Sequence, residues 1–321
     1  MASAQGMNAS SGRMIGTVAV NTLRIALRDR TVLWLAGLFM GMVLVSAYLG
    51  WSATDTVNQI YVKAIPVFQM DGRPMPANPT VDMPALSMLR NMTTYISLLG
   101  ALVAIVLGFQ VISEDLRAGV FPLISSRPIP RNQYAAGKLT ALFGSVLALL
   151  ILAGLTTAAT VLLMPGIHLA TNDWLALIQF YGVSALFLTA FGSMAMASAA
   201  WSRSESVGLL VPVTVWLVLT FVFPQLSANI NPMAALNPVK AMVAPPAGAF
   251  FDIVGTVLAP ISLVSAYRDV ASTILGFTPA DRSSLGMSGG MTLLVVANVL
   301  LGSFAVRAIR SIPGTRSSND E

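Results

Sequence analysis

Uncharged, mostly apolar stretches alternate with short charged segments along the whole chain. A membrane-spanning helix needs roughly 20 consecutive, predominantly apolar residues. Six stretches are long enough, so the pattern predicts six transmembrane helices. They are Thr31–Thr54, Asn91–Ser113, Leu139–Asn172, Trp174–Ser202, Ser206–Val239 and Ser283–Val306.

A further apolar stretch, Ala247–Ala266, leaves open a seventh span. It contains Asp252 and Pro260, and a charge near the centre of a bilayer costs about 3 kcal/mol on insertion scales. We expect short helices at the outer membrane face instead, within an outer loop of residues 225–287. A seventh span would move the arginines that follow span six to the other side of the membrane.

The composition indicates an integral membrane protein. Apolar residues make up 55% of the 321 residues and charged residues 10%, with a mean hydropathy of +0.76, whereas soluble domains carry about 25% charged residues. The chain has no cysteine, which excludes disulfides and thiolate metal sites. We therefore expect an all-α integral membrane fold, with one domain over residues 1–321.

The distribution of charge predicts the orientation, because cytoplasmic loops are enriched in Lys and Arg. With both termini in the cytoplasm, that side carries twelve basic and six acidic residues, a net charge of +6, including a tail at 307–321. The outer side carries six basic and seven acidic residues, a net charge of −1. The expected location is the inner membrane of a prokaryote. The basic charge follows from this topology, and nucleic acid is not an expected partner.

The cytoplasmic segment 1–30 contains a predicted amphipathic helix, with polar residues on one face and apolar residues on the other. The polar face comprises Arg13, Thr17, Asn21, Arg24 and Arg28, and the apolar face Ile15, Val18, Ala19, Leu23 and Ala26. Such a helix would lie in the membrane interface, with its arginines toward the lipid headgroups. The alternative is a basic flank that only fixes the orientation.

The six apolar stretches contain no Asp, Glu, Lys or Arg. Transporters coupled to ions or protons usually place ionisable groups there, so secondary transport is disfavoured. The dipeptide Gly137–Lys138 also lacks the glycine that a phosphate-binding loop requires five residues earlier, where the chain has Asn132. We expect no enzymatic activity, no ATPase site and no cofactor in this chain.

Methionines in and beside the expected outer loop, residues 54–90, allow one metal-binding hypothesis. They are Met70, Met75, Met83, Met88 and Met92. Thioethers suit Cu(I), but the spacing is irregular and methionine commonly fills apolar gaps in a protein core. We therefore predict no metal site.

The polar segment at residues 114–138 separates the second and third apolar stretches. Glu114 and Asp115 follow the end of the second stretch, Gly119 can end the helix, and Pro128 restricts the return path. Such a short, rigid connection is suited to contact with another protein. The alternative is that these residues only end helices and fix the orientation.

This segment resembles the pattern E-x4-G-x3-L-x4-P-x2-R-x5-G-K of the ABC-2 type exporter permeases, especially the branch named for multicopper-enzyme maturation. The matching residues are Glu114, Gly119, Leu123, Pro128, Arg131, Gly137 and Lys138. The resemblance implies the permease subunit of an ATP-binding cassette (ABC) exporter. Residues 114–138 would then hold a cytoplasmic coupling helix that docks on a separate ATPase subunit, which binds the ATP.

The resemblance assigns roles within the coupling segment. Its seven coupling residues are Glu114, Asp115, Gly119, Pro128, Arg131, Gly137 and Lys138. Glu114 and Arg131 would be polar anchors, Gly119 and Pro128 would shape the loop, and Gly137–Lys138 would begin the third span.

The resemblance also implies a second permease subunit, because the export path lies between two sets of six spans. We expect a second copy of the chain, and the alternative is a different permease. Small residues in the fourth apolar stretch permit close helix approach, either between copies or within one subunit. They are Gly192, Ser193, Ala195, Ala197, Ser198, Ala199 and Ala200. The alternative function is a membrane scaffold or anchor of an envelope assembly complex, without transport.

Overall fold

The computed structural model of the protein describes residues 2–26, 28–70, 85–119, 130–163, 169–223, 261–277 and 285–312, and the short pieces 253–254 and 257–258. Every regular element within these residues is helical. The predicted all-α fold is confirmed.

Six helices of the described residues are long and apolar enough to cross a membrane, as the apolar pattern predicts. They are Arg30–Met70, Leu86–Arg117, Arg131–Leu163, Thr171–Trp201, Glu205–Val222 and Gly286–Arg310, named spans one to six in that order. An N-terminal helix, Ala2–Ala26, precedes span one. A short helix, Leu263–Leu275, lies between spans five and six along the chain.

Spans two and five each contain a π-helical turn. Span two consists of a 3-10 turn, an α-helix, a π turn and a second α-helix, and span five of an α-helix and a π turn. Their bounds are Ala85–Leu89, Arg90–Tyr95, Ile96–Gly100 and Ala101–Arg117 in span two, and Glu205–Leu217 and Val218–Val222 in span five. A π turn departs from the regular i to i−4 hydrogen-bond pattern. In span two, the Ser97 carbonyl accepts a 3.1 Å hydrogen bond from the indole N–H of Trp216, which ties the two spans together.

Span one is longer than the sequence predicted. The apolar stretch ends at Thr54 because Asp55 follows, but the helix continues to Met70. A charged residue ends an apolar stretch but does not have to end the helix. Here Asp55 is accommodated within the helix, where its Oδ2 accepts a 2.7 Å hydrogen bond from Nε2 of Gln59, one turn away. Helical structure therefore extends into both ends of the segment expected as an outer loop, residues 54–90, since the 3-10 turn that leads into span two begins at Ala85.

The described residues contain no seventh span. The short helix has 13 residues, too few to cross a bilayer, and it ends at Gly276, whose φ of 73° lies in the left-handed region. It packs against spans four and six, the first turns of span two and the last turn of span five. These contacts place it at one end of the bundle, called the far end below. Asp252 and Pro260 lie outside the described residues.

A close contact between spans two and four forms the centre of the bundle. A Cβ atom on Gly108 would lie 2.0 Å from the carbonyl oxygen of Gly192, so only glycine lets the two backbones approach this closely. The small residues that the sequence offered either to a second copy or to one subunit are all buried within this chain. They are Gly192, Ser193, Ala195, Ala197, Ser198, Ala199 and Ala200. Their role is packing within one subunit.

The N-terminal helix packs on the beginning of span three. A Cβ atom on Gly137 would lie 2.8 Å from the Cβ atom of Val18, which leaves no room for a side chain. The predicted polar face is exposed, and its members are Arg13, Thr17, Asn21, Arg24 and Arg28. The amphipathic pattern is thus present, but part of its apolar face contacts span three.

Candidate functional site

The end of the bundle opposite the far end gathers the beginnings of spans one, three and five and the ends of spans two, four and six. Basic residues mark these helix ends, and we call this end the basic end. They include Arg30, Arg117, Arg131, Arg203 and Arg310. Six of the seven predicted coupling residues lie here among the described residues, while Pro128 lies outside them.

Gly119 ends span two. Its φ of +60° lies in the left-handed region that glycine tolerates best. The amide of Gly119 donates to the Leu116 carbonyl at 3.2 Å, and the amide of Ala118 donates to the Glu114 carbonyl at 2.9 Å. These bonds satisfy carbonyl groups of the last helical turn, as is usual at a helix end with a left-handed residue.

A buried ion pair joins the end of span two to span three. Lys138 Nζ lies 2.7 Å from Asp115 Oδ2, and only 4% of the lysine side chain and 16% of the aspartate side chain are exposed. The Tyr134 hydroxyl donates to the same carboxylate oxygen at 2.5 Å. Tyr134 and Lys138 are four residues apart, so both project from one face of span three toward Asp115.

The position of Lys138 corrects one expectation. The sequence suggested that Gly137 and Lys138 begin the third span, but span three begins at Arg131, so both residues lie nearly two turns inside a helix. The apolar stretch stops at Lys138 because the residue is charged, yet Asp115 neutralises that charge inside the protein. Buried charges are tolerated when they are paired and hydrogen-bonded.

A second ion pair joins span two to span five. The guanidinium of Arg117 binds the Glu205 carboxylate through two hydrogen bonds, from Nε to Oε1 and from Nη2 to Oε2. Glu205 begins span five directly after Ser204, whose side chain accepts from the Val207 amide at 3.3 Å. Both charged side chains are partly exposed, at 59% and 34%, so the pair contributes about 1 kcal/mol or less. Its role is to hold the end of span two beside the beginning of span five.

A third link joins span two to the start of span one. Gln110 Nε2 donates to Asp29 Oδ2 at 2.9 Å. The other oxygen of the same carboxylate accepts from the Thr31 amide at 2.6 Å, which caps span one. Span two therefore carries separate polar links to spans one, three and five at the basic end.

Glu114 differs from its acidic neighbours. Asp29, Asp115 and Glu205 each accept hydrogen bonds within the protein, whereas the half-buried Glu114 carboxylate has no hydrogen-bond partner among the described residues. The charges around it belong to Asp29, Asp115, Lys138 and Arg117. Its carboxylate remains available to an external donor.

Arg131, the second expected anchor, bonds to span six. Its Nη1 donates to the Arg310 carbonyl at 2.8 Å, at the end of that span. This bond satisfies one carbonyl of the last helical turn, a position that favours positive charge. The two anchors therefore have different surroundings. Glu114 lies among charged side chains near the end of span two, whereas Arg131 is hydrogen-bonded to the end of span six.

Sequence reasoning missed five members of this arrangement, namely Asp29, Gln110, Arg117, Tyr134 and Glu205. Two of them carried a local signal. Asp29 precedes Thr31 at the start of span one, and Glu205 follows Ser204 at the start of span five, both being typical helix-start sequences. The roles of Gln110 and Tyr134 can be recognised only from the packing of the helices.

The described residues contain no group of three or more His, Cys, Asp or Glu that could hold a metal ion. Met88 is 8% exposed and Met92 is fully buried, so both belong to the apolar core, whereas Met70 is 86% exposed. Met75 and Met83 lie outside the described residues. The methionines that the structure describes thus do not converge on a copper site.

The buried pair yields a stability prediction. Replacing Lys138 with methionine should leave Asp115 buried without its charge partner, and loss of one member of such a pair costs roughly 3–5 kcal/mol. The double variant Lys138→Met/Asp115→Asn should recover much of this loss, because it removes both charges and keeps an acceptor for Tyr134. Unfolding in mixed detergent micelles gives the free energies. The exposed Arg117→Gln is the control, with a loss of about 1 kcal/mol at most. A double variant no more stable than Lys138→Met would contradict the pairing.

A family model described as ABC-2 family transporter protein matches residues 17–307 of the chain. The match begins in the N-terminal helix, includes spans one to five and extends almost to the end of span six. No curated protein matches the chain.

Proposed function

The chain belongs to the ABC-2 family of transporter proteins and is a multi-pass membrane permease component of an ABC transporter; we propose that it is the export subunit, driven by a separate ATPase that docks at the basic end. The observation that carries this proposal is the buried pair between Asp115 and Lys138. It lies where spans two and three enter the connection at residues 114–138.

The links at the basic end suit the transmission of force. The connection between spans two and three leaves span two at Gly119 and enters span three at Arg131. Because the buried pair holds these two helix ends together, a displacement of the connection moves them as one unit. The links from Arg117 to Glu205 and from Gln110 to Asp29 extend the movement to spans five and one. Through the links of span two alone, a push from an ATPase would thereby reach four of the six spans.

ATP hydrolysis is assigned to another subunit. Gly137 and Lys138, the only local likeness to a phosphate-binding loop that the sequence offered, lie inside span three. A phosphate-binding loop requires glycine-rich, non-helical backbone whose amides face the phosphates, and here Gly137 packs against Val18.

We assign the basic end to the cytoplasm, because positive residues concentrate in cytoplasmic loops. The chain lacks cysteine, so single cysteines can report the orientation. An impermeant maleimide should label a Thr273→Cys variant at the far end in intact cells, and an Ala118→Cys variant only after the cells are opened. Both positions are exposed in the protein. Labelling of Ala118→Cys in intact cells would overturn the orientation.

The export path is proposed to lie between two copies of this chain. Spans one and five are the least buried of the six. Span five exposes apolar side chains that a second copy could cover, namely Val207, Leu210, Val211, Val215 and Leu217. The mass of the purified permease in lipid nanodiscs gives the number of copies, and a single copy in a transport-active sample would exclude a homodimer.

The coupling role predicts that Glu114→Gln uncouples the permease without unfolding it. Glu114 lacks an internal hydrogen-bond partner among the described residues and glutamine keeps its shape, so the substitution should cost far less stability than breaking the buried pair. Loss of one partner from a desolvated interfacial charge pair costs about 2–5 kcal/mol, which corresponds to at least roughly 30-fold weaker ATPase binding.

The measurement compares membrane level, copurified ATPase and ATP turnover in nanodiscs for the wild type, Glu114→Gln and Asp55→Asn. The last variant removes one carboxylate from span one, away from the basic end, and should behave as wild type. If Glu114→Gln also keeps wild-type association and turnover, the coupling role fails. A chain that binds its neighbours without any ATPase would instead fit a membrane scaffold.

A further inference from the structure

A separate cavity opens at the basic end, between the beginning of span three and the end of span six. Its volume is about 530 Å³, and it is lined by Pro130, Arg131, Asn132, Arg307, Arg310 and Ser311. Half of these residues are arginines, so the cavity concentrates three positive charges. We call it the arginine cavity.

The positive charge of the arginine cavity is not neutralised by the part of the chain that the structure describes. None of its arginines pairs with a carboxylate there, since both ion pairs of the basic end involve other basic residues. One N–H of Arg131 donates to the Arg310 carbonyl, which leaves its remaining donors available. Arg307 and Arg310 are exposed. The cavity therefore offers several arginine donors to an anion.

The chemistry of the cavity selects an oxyanion, and a phosphate group in particular. Arginine presents a planar fork of donors that matches phosphate oxygens in a bidentate manner. The cavity also adjoins the first residues of span three, Arg131 and Asn132, whose backbone amides precede the first helical hydrogen bonds to the Pro130 carbonyl.

The surface beside the cavity distinguishes a lipid from a soluble anion. Leu300 precedes Arg307 by seven residues and therefore lies on the same face of span six, about 10 Å deeper in the membrane. Leu300 is 61% exposed and Phe304 is 49% exposed. Trp201 packs edge-on against Phe304, with a centroid distance of 6.5 Å. Exposed apolar side chains thus continue from the arginines toward the membrane centre. A lipid acyl chain could contact these side chains, whereas a free phosphate would not.

We infer that the arginine cavity binds the phosphate group of an acidic phospholipid, with an acyl chain along Leu300 and Phe304. Such a lipid would join the beginning of span three to the end of span six, the same two elements that Arg131 connects. The inference depends on the membrane location of the chain. The cavity shares Arg131 with the proposed coupling residues, so the test uses Arg307 and Arg310, which take no part in the links of span two.

The test measures the thermal stability of the purified full chain in detergent as lipid is added. Phosphatidylglycerol should raise the melting temperature of the wild type, whereas phosphatidylcholine, inorganic phosphate and glycerol phosphate should not. Arg307→Gln and Arg310→Gln should each weaken the phosphatidylglycerol response about 10-fold or more in concentration, since each removes charged hydrogen bonds. Arg203→Gln is the matched control, an exposed arginine of the basic end outside the cavity, and it should respond as wild type.

The outcomes separate the lipid from other ligands. Equal stabilisation by phosphatidylcholine, or an equal loss of response in Arg203→Gln, would overturn a specific site. An equal response to inorganic phosphate or glycerol phosphate would overturn the lipid assignment. Loss of ATPase copurification in Arg307→Gln with an unchanged phosphatidylglycerol response would show that the cavity serves a protein partner. Without lipid, all three variants should melt near the wild type, because exposed side chains contribute about 0.5 kcal/mol.

Discussion

The ion pair between Asp115 and Lys138 is the constraint on which the basic end depends. Each charge lies where solvent hardly reaches it, so each is stable only while the other is in place. This requirement fixes the end of span two against the second turn of span three, and Tyr134 restricts the carboxylate further. The exposed pair of Arg117 and Glu205 could break and re-form at little cost, but the buried pair could not. The helix ends beside it therefore behave as one rigid piece.

Contacts elsewhere in the bundle hold these helix ends in position. In lipid, helices gain little from burying apolar surface against one another, so close packing and polar contacts must hold them. Gly108 and Gly192 provide the packing, because their backbones touch where spans two and four cross. Tyr267 of the short helix stacks on Phe187 at 4.4 Å and bonds to Ser184 at 2.9 Å, both near the middle of span four. Span four is thus held near its middle by Tyr267 and farther toward the basic end by Gly108, while the links of span two lie at the basic end itself.

The sequence predicted the number of spans because apolar length is a local property. It misjudged boundaries wherever a charge lies inside a helix, as at Asp55 and Lys138, because a charge ends an apolar stretch whether or not the helix continues. It placed both Asp115 and Lys138 in the coupling segment, Asp115 because it follows the second apolar stretch and Lys138 because it matches the family pattern, but it could not show that they pair. Glu205 was missed because its partner Arg117 is 88 residues away, a distance that no periodicity reports. The docking of a partner on these residues remains a prediction.

The rigidity of the buried pair is tested most directly by the distance between spans two and three at the basic end during the ATPase cycle. Spin labels on Ala118→Cys and Thr140→Cys, both exposed positions of a chain without native cysteine, report this distance in nanodiscs. If the buried pair holds the two helix ends together, the distance distribution should be the same and narrow in the resting state and with the ATPase trapped in its ATP-bound form. Adding Lys138→Met should broaden it. A distance that shifts between the two states with the pair intact would contradict the claim that the buried pair moves both helix ends as one unit.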